Sequence, residues 1–274
     1  MPINPSEQPG NTSTYIHPRD PHLHRIENAM EYDAGGQPVL RTNNFLLDVS
    51  RGAIPGHSNV FIGGRNRGVA NNTPATIWNV GGLYPWSAWN AGAGTLSIVS
   101  DRASDTGITI LLDGLDSNYN IQTEVVTVND GTPVVTTKSF LRLNSATNIG
   151  SKASVGIINI SRNGTVIGRI NPDKQSTSMS IYTVPAGHTA FSVWGDFSIL
   201  GSNSAEMQAY WRFHGGVFIG VYATEVTGTT YQSTPPLPGA IPEKTDIDNR
   251  VAYGTNNLTA SSNQQLLLID NTYL

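Results

Sequence analysis

Hydrophobic and polar residues alternate through the middle of the chain, where Val, Ile, Thr and Tyr are abundant. This period of two is typical of strands that bury one face. It predicts strands at residues 95–100, 107–114, 121–128, 134–143, 154–161, 165–170 and 178–184. Asn129-Asp130-Gly131 and Asn163-Gly164 lie between predicted strands and favour tight hairpins, because these residue types tolerate positive φ. The pattern therefore indicates antiparallel pairing.

The C-terminal part continues the alternation, with large aromatic residues at every second position. It predicts strands at residues 188–200, 205–215, 217–226 and 264–270, and a proline-rich connection without regular structure at 233–246. We expect an all-β fold, an antiparallel β-sandwich of jelly-roll or Ig-like type, over residues 91–274. A subdivision near residue 185 is left open.

The first 90 residues lack clean alternation and are interrupted by turn formers such as "PSEQPGN", "DAGGQP" and "IGGRNRG". We expect residues 1–90 to form an extended N-terminal arm, or docking region, with one or two strands. Residues 23–32 have apolar positions on one helical face and predict one short helix.

Composition narrows the function classes. The chain has 274 residues, of which only 13% are charged, and a net charge of −4. This balance gives no electrostatic reason for binding nucleic acid or an anionic membrane. Cysteine is absent, which excludes disulfides and thiolate chemistry. We expect neither a signal peptide nor a membrane-spanning helix, because no long apolar run occurs.

The stretch "LLDGLDSNYN" places Asp113, Asp116, Asn118 and Asn120 within eight residues, which raises the question of a calcium loop. Counted from Asp116, an EF-hand would need Gly at its sixth position and Glu at its twelfth, where this chain has Ile121 and Thr127. The EF-hand is excluded. A looser calcium site remains an alternative, but flanking strands favour a turn in which Asp and Asn bond their own backbone.

Several clusters of polar residues contain side-chain types that catalysis or metal binding requires. "HPRDPHLH" contains His17, Arg19, His22 and His24, and zinc binding there is weighed against a proline-rich docking arm, which we favour. His57 and Ser58 are adjacent in the sequence, and adjacent side chains rarely face each other as the members of a catalytic triad do. No G-x-S-x-G elbow or carboxylate pair is found, so we expect no enzyme activity, no metal and no cofactor.

Arginine and aromatic residues supply the remaining candidates for an interface. "GGRNRG" lacks the features of a phosphate loop, and its Arg65 and Arg67 are expected to bond carboxylates of a neighbouring subunit. "LYPWSAWN" brings Tyr84, Trp86 and Trp89 together, which is compatible with a core cluster, an intersubunit interface or a sugar site. The candidate interface residues are His17, Arg19, His22, Arg51, Arg65, Arg67, Tyr84, Trp86 and Trp89.

The chain resembles a family of tailed-bacteriophage virion structural proteins. The stretches that carry the resemblance are "YDAGGQPVLRT" (32–42), "DVSRGAIPGHSNVFIGGRN" (48–66), "IWNVGGLYPW" (77–86), "LSIVSDRASDTG" (96–107), "GLDSNYNIQTEVVTVNDGTPVVTTKSFLRLN" (114–144), "YTVPAGHTAF" (182–191) and "IPEKTDI" (241–247). The resemblance implies an all-β virion component, with no assignment to head or tail. In the family pattern a longer loop follows "SIVSDRASDTG", whereas this chain continues directly into "ITILLDG".

These observations together lead to one expected function and one alternative. The expected function is a non-enzymatic virion protein that decorates or cements the capsid, with the N-terminal arm burying surface against the major capsid protein or other virion proteins. We expect a homotrimer, synthesised in the cytoplasm of a bacterial host, that binds no nucleic acid and no membrane. The alternative is a tail or head-fibre protein that binds the host surface or a glycan, and a depolymerase ranks third.

Overall fold

A computed structural model of the chain describes residues 31–32, 38–39, 45–129, 131–172, 174–200, 203–228, 231–234, 239–255 and 257–274. The chain divides into two compact units, Met1–Pro55 and Gly56–Leu274. The predictions that concern residues 1–30, including His17, Arg19, His22 and most of the helix at 23–32, lie outside the described residues.

Strands dominate the described residues. In chain order the elements are β1 (Glu31–Tyr32), β2 (Pro38–Val39), α1 (Phe45–Ser50), β3 (His57–Val69), β4 (Ala75–Thr76), β5 (Ser97–Ser100), β6 (Thr109–Leu115), β7 (Ile121–Thr127), β8 (Val134–Val135), β9 (Arg142–Asn148), β10 (Ile158–Arg162), β11 (Thr165–Ile170), β12 (Ile181–Thr183), β13 (His188–Leu200), β14 (Ser204–Arg212), β15 (Ile219–Thr227), β16 (Tyr231–Thr234), β17 (Asp246–Gly254) and β18 (Leu258–Asp270). Short 3-10 helices occur at Trp86–Trp89, Ala103–Asp105 and Asn271–Tyr273.

The described part of the first unit is small. β1 pairs with β2 in an antiparallel hairpin, and α1 follows as a helix of six residues. Because Glu31 and Tyr32 form a strand, the helix predicted for residues 23–32 does not reach residue 32.

A first sandwich lies within the second unit. One of its sheets has the strand order β11–β10–β5–β8 and the other has β7–β6–β9. Residues of both sheets, including Ile98, Ile110 and Ile160, belong to one buried cluster, so this core lies between the two sheets. The Asn163-Gly164 prediction is confirmed, since both residues have positive φ (48° and 78°) in the turn that joins β10 to β11.

A second sandwich is formed by two longer sheets. We call the sheet with order β16–β13–β18–β3 the β3 sheet, and the sheet with order β12–β17–β14–β15 the β14 sheet, in which β4 also pairs with β17. Alternation explains the packing of β14, because Ala205, Met207, Ala209 and Trp211 are buried while the residues between them are partly exposed. Two buried clusters contain residues from both sheets and form the core.

The first sandwich interrupts the second one in the chain. β3 and β4 come before the first sandwich, and β12 to β18 come after it. Every pairing between described strands is antiparallel, and the prediction of an all-β antiparallel fold is confirmed. The arm predicted for residues 1–90 needs a correction, since β3 and β4 are sheet strands and the unit boundary lies at Pro55–Gly56.

Glycine permits a close approach in the middle of β3. A Cβ at Gly64 would lie 2.0 Å from the carbonyl oxygen of Ile77 and 2.5 Å from the amide nitrogen of Ser180. Asn66, two residues later on the same inward face, is buried and donates its side-chain amide to the carbonyl of Thr76 at 3.1 Å. Backbone contact here replaces the apolar side chains that an inner strand face usually carries.

Candidate functional site

The aromatic group of the "LYPWSAWN" stretch lies in the core. Tyr84, Trp86 and Trp89 are 4%, 7% and 3% exposed, and their rings belong to the buried cluster of the first sandwich. The ring of Tyr84 packs edge-on against Trp78 at 5.1 Å and Trp86 at 4.8 Å between centroids. The core alternative is therefore the correct one, and assigning these three residues to an interface or a sugar site is wrong.

The predicted arginines differ from the aromatic residues in being exposed. Arg51 is exposed just after α1 in the first unit. Arg65 and Arg67 are exposed on β3, and the structure gives neither of them a salt bridge within the described residues. The expectation that Arg65 and Arg67 bond carboxylates of a neighbouring subunit stays a prediction, and their location on β3 replaces the assignment to an arm.

A buried ionic network joins the two sandwiches, and we call it the junction network. Its centre is Asp246, the first residue of β17, which is 3% exposed. Arg142 of β9 donates Nε to Asp246 Oδ1 at 2.9 Å, and Arg212 of β14 donates Nη2 to Oδ2 at 2.6 Å. The hydroxyl of Thr183 donates to Oδ1 at 2.6 Å. One carboxylate thus binds guanidinium groups from both sandwiches.

Asp248 forms the second half of the junction network. It is fully buried and accepts hydrogen bonds from Arg250 Nη2 at 2.8 Å, Trp86 Nε1 at 2.7 Å and the hydroxyl of Thr76 at 2.9 Å. Asp246 and Asp248 share the outer face of β17, because Ile247 between them points into the core of the second sandwich. Trp86 belongs to the core of the first sandwich, so this bond also crosses the junction.

Aromatic rings cover the guanidinium groups of the junction network. Arg212 Cζ lies 5.1 Å from the ring centroid of Trp86 and 4.6 Å from that of Phe218. Arg250 Cζ lies 4.7 Å from Phe218 and 4.5 Å from Tyr210. Cation–π contacts at these distances are stabilising.

The electrostatics of the junction network indicate a structural role. Burial raises the pKa of Asp248, and the Arg250 guanidinium opposes this effect. Burial also disfavours charge on Arg142, but hydrogen bonding and attraction from Asp246 outweigh it and raise the pKa of Arg142. Arg142, Arg212 and Arg250 each bind a carboxylate of the network, which fits a structural role.

The outer face of the β3 sheet is a further candidate surface, and we call it the β3 face. Trp194, Gln265 and Phe61 are direct neighbours across β13, β18 and β3. Phe61 is 72% exposed and Trp194 is 37% exposed. Arg65 and Arg67 lie further along β3, with Arg65 beside Ser261 of β18. Aromatic and arginine side chains of this kind are enriched at protein interfaces.

The possible calcium loop is a turn. Asp116 Oδ1 accepts hydrogen bonds from the backbone amides of Asn118 at 2.8 Å and Asn120 at 2.9 Å, and its Oδ2 accepts one from the side chain of Asn120. Burial disfavours the charge of Asp116, but these hydrogen bonds lower its pKa overall. The Asp116 carboxylate therefore accepts hydrogen bonds from its own loop, which confirms the turn interpretation.

The described residues contain no group of three or more His, Cys, Asp or Glu side chains arranged to hold a metal ion. Among the same residues, no helix has both the length and the apolar character needed to cross a membrane.

Sequence reasoning missed the junction network altogether. Its residues come from β4, β9, β12, β14 and β17 and from the Trp86–Trp89 helix, and Arg142 is separated from Asp246 by 104 positions. The local signal was "DIDNR" at the start of β17, where charged residues alternate with Ile247 and Asn249. Such a pattern normally indicates a solvated face, and only the tertiary fold shows that the face is covered.

Comparisons with known proteins complete the description. No family model and no curated protein matches the chain. Among solved structures, the infectious bursal disease virus Gt strain is similar at 12% identity and a TM-score of 0.23, over 84% of this chain and 79% of that one. The PBSX exported protein XepA is similar at 9% identity and a TM-score of 0.20, over 86% of this chain and 92% of that one. Scores this low do not establish a common fold.

Proposed function

We propose that the chain is a non-enzymatic structural protein of a tailed-bacteriophage virion, where it decorates the capsid and joins neighbouring shell proteins. The observation that carries the proposal is the β3 face, a broad sheet surface with exposed Phe61, Trp194, Arg65 and Arg67. Exposed aromatic and arginine side chains of this kind are enriched at protein interfaces. The sequence resemblance to phage virion proteins supports the same function.

The buried junction network fits a mechanical role. Asp246 and Asp248 bind groups from both sandwiches, so the two bodies are tied together at fixed geometry. A rigid body transmits load from one neighbour to another, which is what a cementing protein must do. In the proposed mechanism the segment through Pro55 docks on the major capsid protein, homotrimers form, and symmetry multiplies a modest contact.

Localisation and copy number test the proposal. A tagged chain should be found on the heads of intact particles in hundreds of copies, and particles lacking it should lose resistance to heat. Position on the tail in about a dozen copies would overturn decoration but keep a virion role. Absence from purified particles would overturn both.

Glycan binding on the host surface is the second candidate, and one observation favours it. Phe61 and Trp194 are separated by two strand spacings, about 9.6 Å, with the Gln265 amide between them. Exposed rings can stack on sugars while an amide bonds their hydroxyl groups. Binding of the purified protein to a glycan array, lost in a Phe61→Ala/Trp194→Ala variant, would support this function. An array without signal would exclude it.

A further inference from the structure

The second sandwich carries an acidic row on the face opposite the β3 face. Glu225 of β15, Glu206 of β14 and Tyr253 of β17 are direct cross-strand neighbours in the β14 sheet. They point away from the core, since the adjacent Ala205 and Val226 belong to it. The three side chains line a surface groove with a volume of about 420 Å³. We call this site the glutamate row.

The negative charges of the glutamate row have no cationic partner within the described residues of the isolated chain. Directly opposed residues on antiparallel strands have Cβ atoms about 4.5–5.5 Å apart, and like charges at that distance destabilise the pair. Glu206 accepts a hydrogen bond from the Gln208 side chain, which carries no charge. Within the described residues neither Glu206 nor Glu225 forms a salt bridge. An incoming cation would relieve the repulsion.

The β3 face has the complementary charges. Arg65 and Arg67 are two positions apart on one strand face, so their Cα atoms are about 6.6 Å apart. This Cα separation is comparable to the about 4.5–5.5 Å expected between the Cβ atoms of Glu206 and Glu225, and guanidinium groups bind carboxylates with two parallel hydrogen bonds. The paired arginines and the paired glutamates lie on opposite outer faces of one sandwich, which prevents them from meeting within a single chain.

We propose that the arginine end of the β3 face binds the glutamate row of a second copy of this chain. The contact joins two different surfaces and is therefore head-to-tail, which generates a ring if the rotation closes and an open chain if it does not. A closed ring of three would be the homotrimer. The inference rests on the proposed structural function and names one partner for it. Its test uses the purified protein in dilute solution and needs no virion.

The area of the β3 face approaches that of one side of a standard interface. β3, β13 and β18 each contain 13 residues. Three strands of that length span a planar area of about 600 Å², before the relief of side chains is added. One partner of a standard stable interface buries about 800 Å². The β3 face thus offers most of one such surface.

A charge-swap experiment tests the pairing. The purified full-length chain should sediment as an oligomer that dissociates as NaCl is raised, because salt screens surface charge pairs. Arg65→Glu/Arg67→Glu and Glu206→Lys/Glu225→Lys should each weaken self-association by about tenfold or more. A single chain that carries all four substitutions should associate again, because every head-to-tail contact then joins opposite charges whatever the size of the ring.

Control variants keep the result interpretable. Arg102→Glu/Lys174→Glu reverses two exposed cations outside both surfaces and should associate like the unaltered chain. Circular dichroism should show all three double variants folded, since the altered side chains are not in the core. An unaltered chain that is monomeric at all concentrations would overturn the inference. So would association lost in only one double variant, or a fourfold variant that does not associate. None of these outcomes bears on whether the protein is found in virions.

Discussion

At the scale of single residues, Gly64 shows how little space the second sandwich leaves around β3. Gly64→Ala would place a methyl group 2.0 Å from the backbone carbonyl oxygen of Ile77, which cannot rotate away as a side chain could. We expect this variant to lose at least about 3 kcal/mol of unfolding free energy, or to be insoluble. Urea unfolding followed by intrinsic fluorescence measures the loss.

Gly68→Ala is the matched control for that substitution. Gly68 is in the same strand, and no atom lies within 4 Å of a Cβ built there. Its stability should change by less than about 1 kcal/mol. Equal losses in the two variants would show that the cost comes from glycine removal in general and not from the close approach at Gly64.

Asp105 gives a prediction about pH. Its buried carboxylate accepts hydrogen bonds from the Ser100 hydroxyl at 2.6 Å and from the amides of Val155 at 2.8 Å and Gly156 at 2.9 Å. Burial alone would raise the pKa of Asp105, but these donors lower it below the ordinary value. The stabilisation is therefore fully present above about pH 3.9, the value in an unfolded chain, and is lost as the pH falls through the folded pKa.

Asp105→Asn should remove that acid dependence. The variant should be less stable than the parent by about 1–3 kcal/mol at pH 7, because an amide faces donors that need an acceptor. Thermal unfolding from pH 7 to pH 2.5 should show the two curves converging as the parent is acidified. A constant difference across the range would contradict the assignment.

At the scale of elements, the 3-10 helix at Trp86–Trp89 aims one indole N–H at a buried carboxylate. Trp86→Phe keeps an aromatic ring but removes that donor from Asp248. We expect a loss of about 1.5–3 kcal/mol, the cost of a hydrogen bond to a charged group, measured by urea unfolding. Trp194→Phe is the control, since Trp194 is partly exposed, and it should cost less than about 1 kcal/mol. Similar losses would contradict a special role for the bond to Asp248.

Elements with strong alternation were predictable from the sequence. β13 was predicted at its observed bounds from its aromatic and β-branched residues, although a register shift between Ser192 and Trp194 interrupts the alternation. The strand predicted for residues 134–143 is broken instead, since the Thr136 hydroxyl donates to the carbonyl of Lys138 and accepts from the amide of Leu96. β3 was missed because backbone contact at Gly64 and a buried amide at Asn66 replace the apolar residues that define a strand pattern.

At the scale of the whole molecule, Asp246 is the charge that two arginines share across the junction. Asp246→Asn leaves Arg142 and Arg212 without their shared counter-charge in a covered site. We expect a loss of about 3–5 kcal/mol of unfolding free energy. Denaturant unfolding and limited proteolysis measure stability and the integrity of the junction.

Glu243→Gln is the control for the junction substitution. Its ion pair with Lys244 has a separation of 3.6 Å and lies at the surface, where such a pair contributes about 0–1 kcal/mol. Equal stability of the two variants would contradict the role given to Asp246. The junction could not have been predicted, because its partners meet only after both sandwiches have formed.

The interruption of the second sandwich by the first has a consequence for the order of folding. β3 pairs with β18, nearly the whole length of the unit later in the chain, whereas the strands of the first sandwich come from one continuous stretch. Long-range pairing of this kind slows folding, since a large loop must close before contacts form. During synthesis on the ribosome, the first sandwich can fold before β18, the partner of β3, has been made. A chain that stops before β18 leaves a 13-residue strand available to pair with other chains.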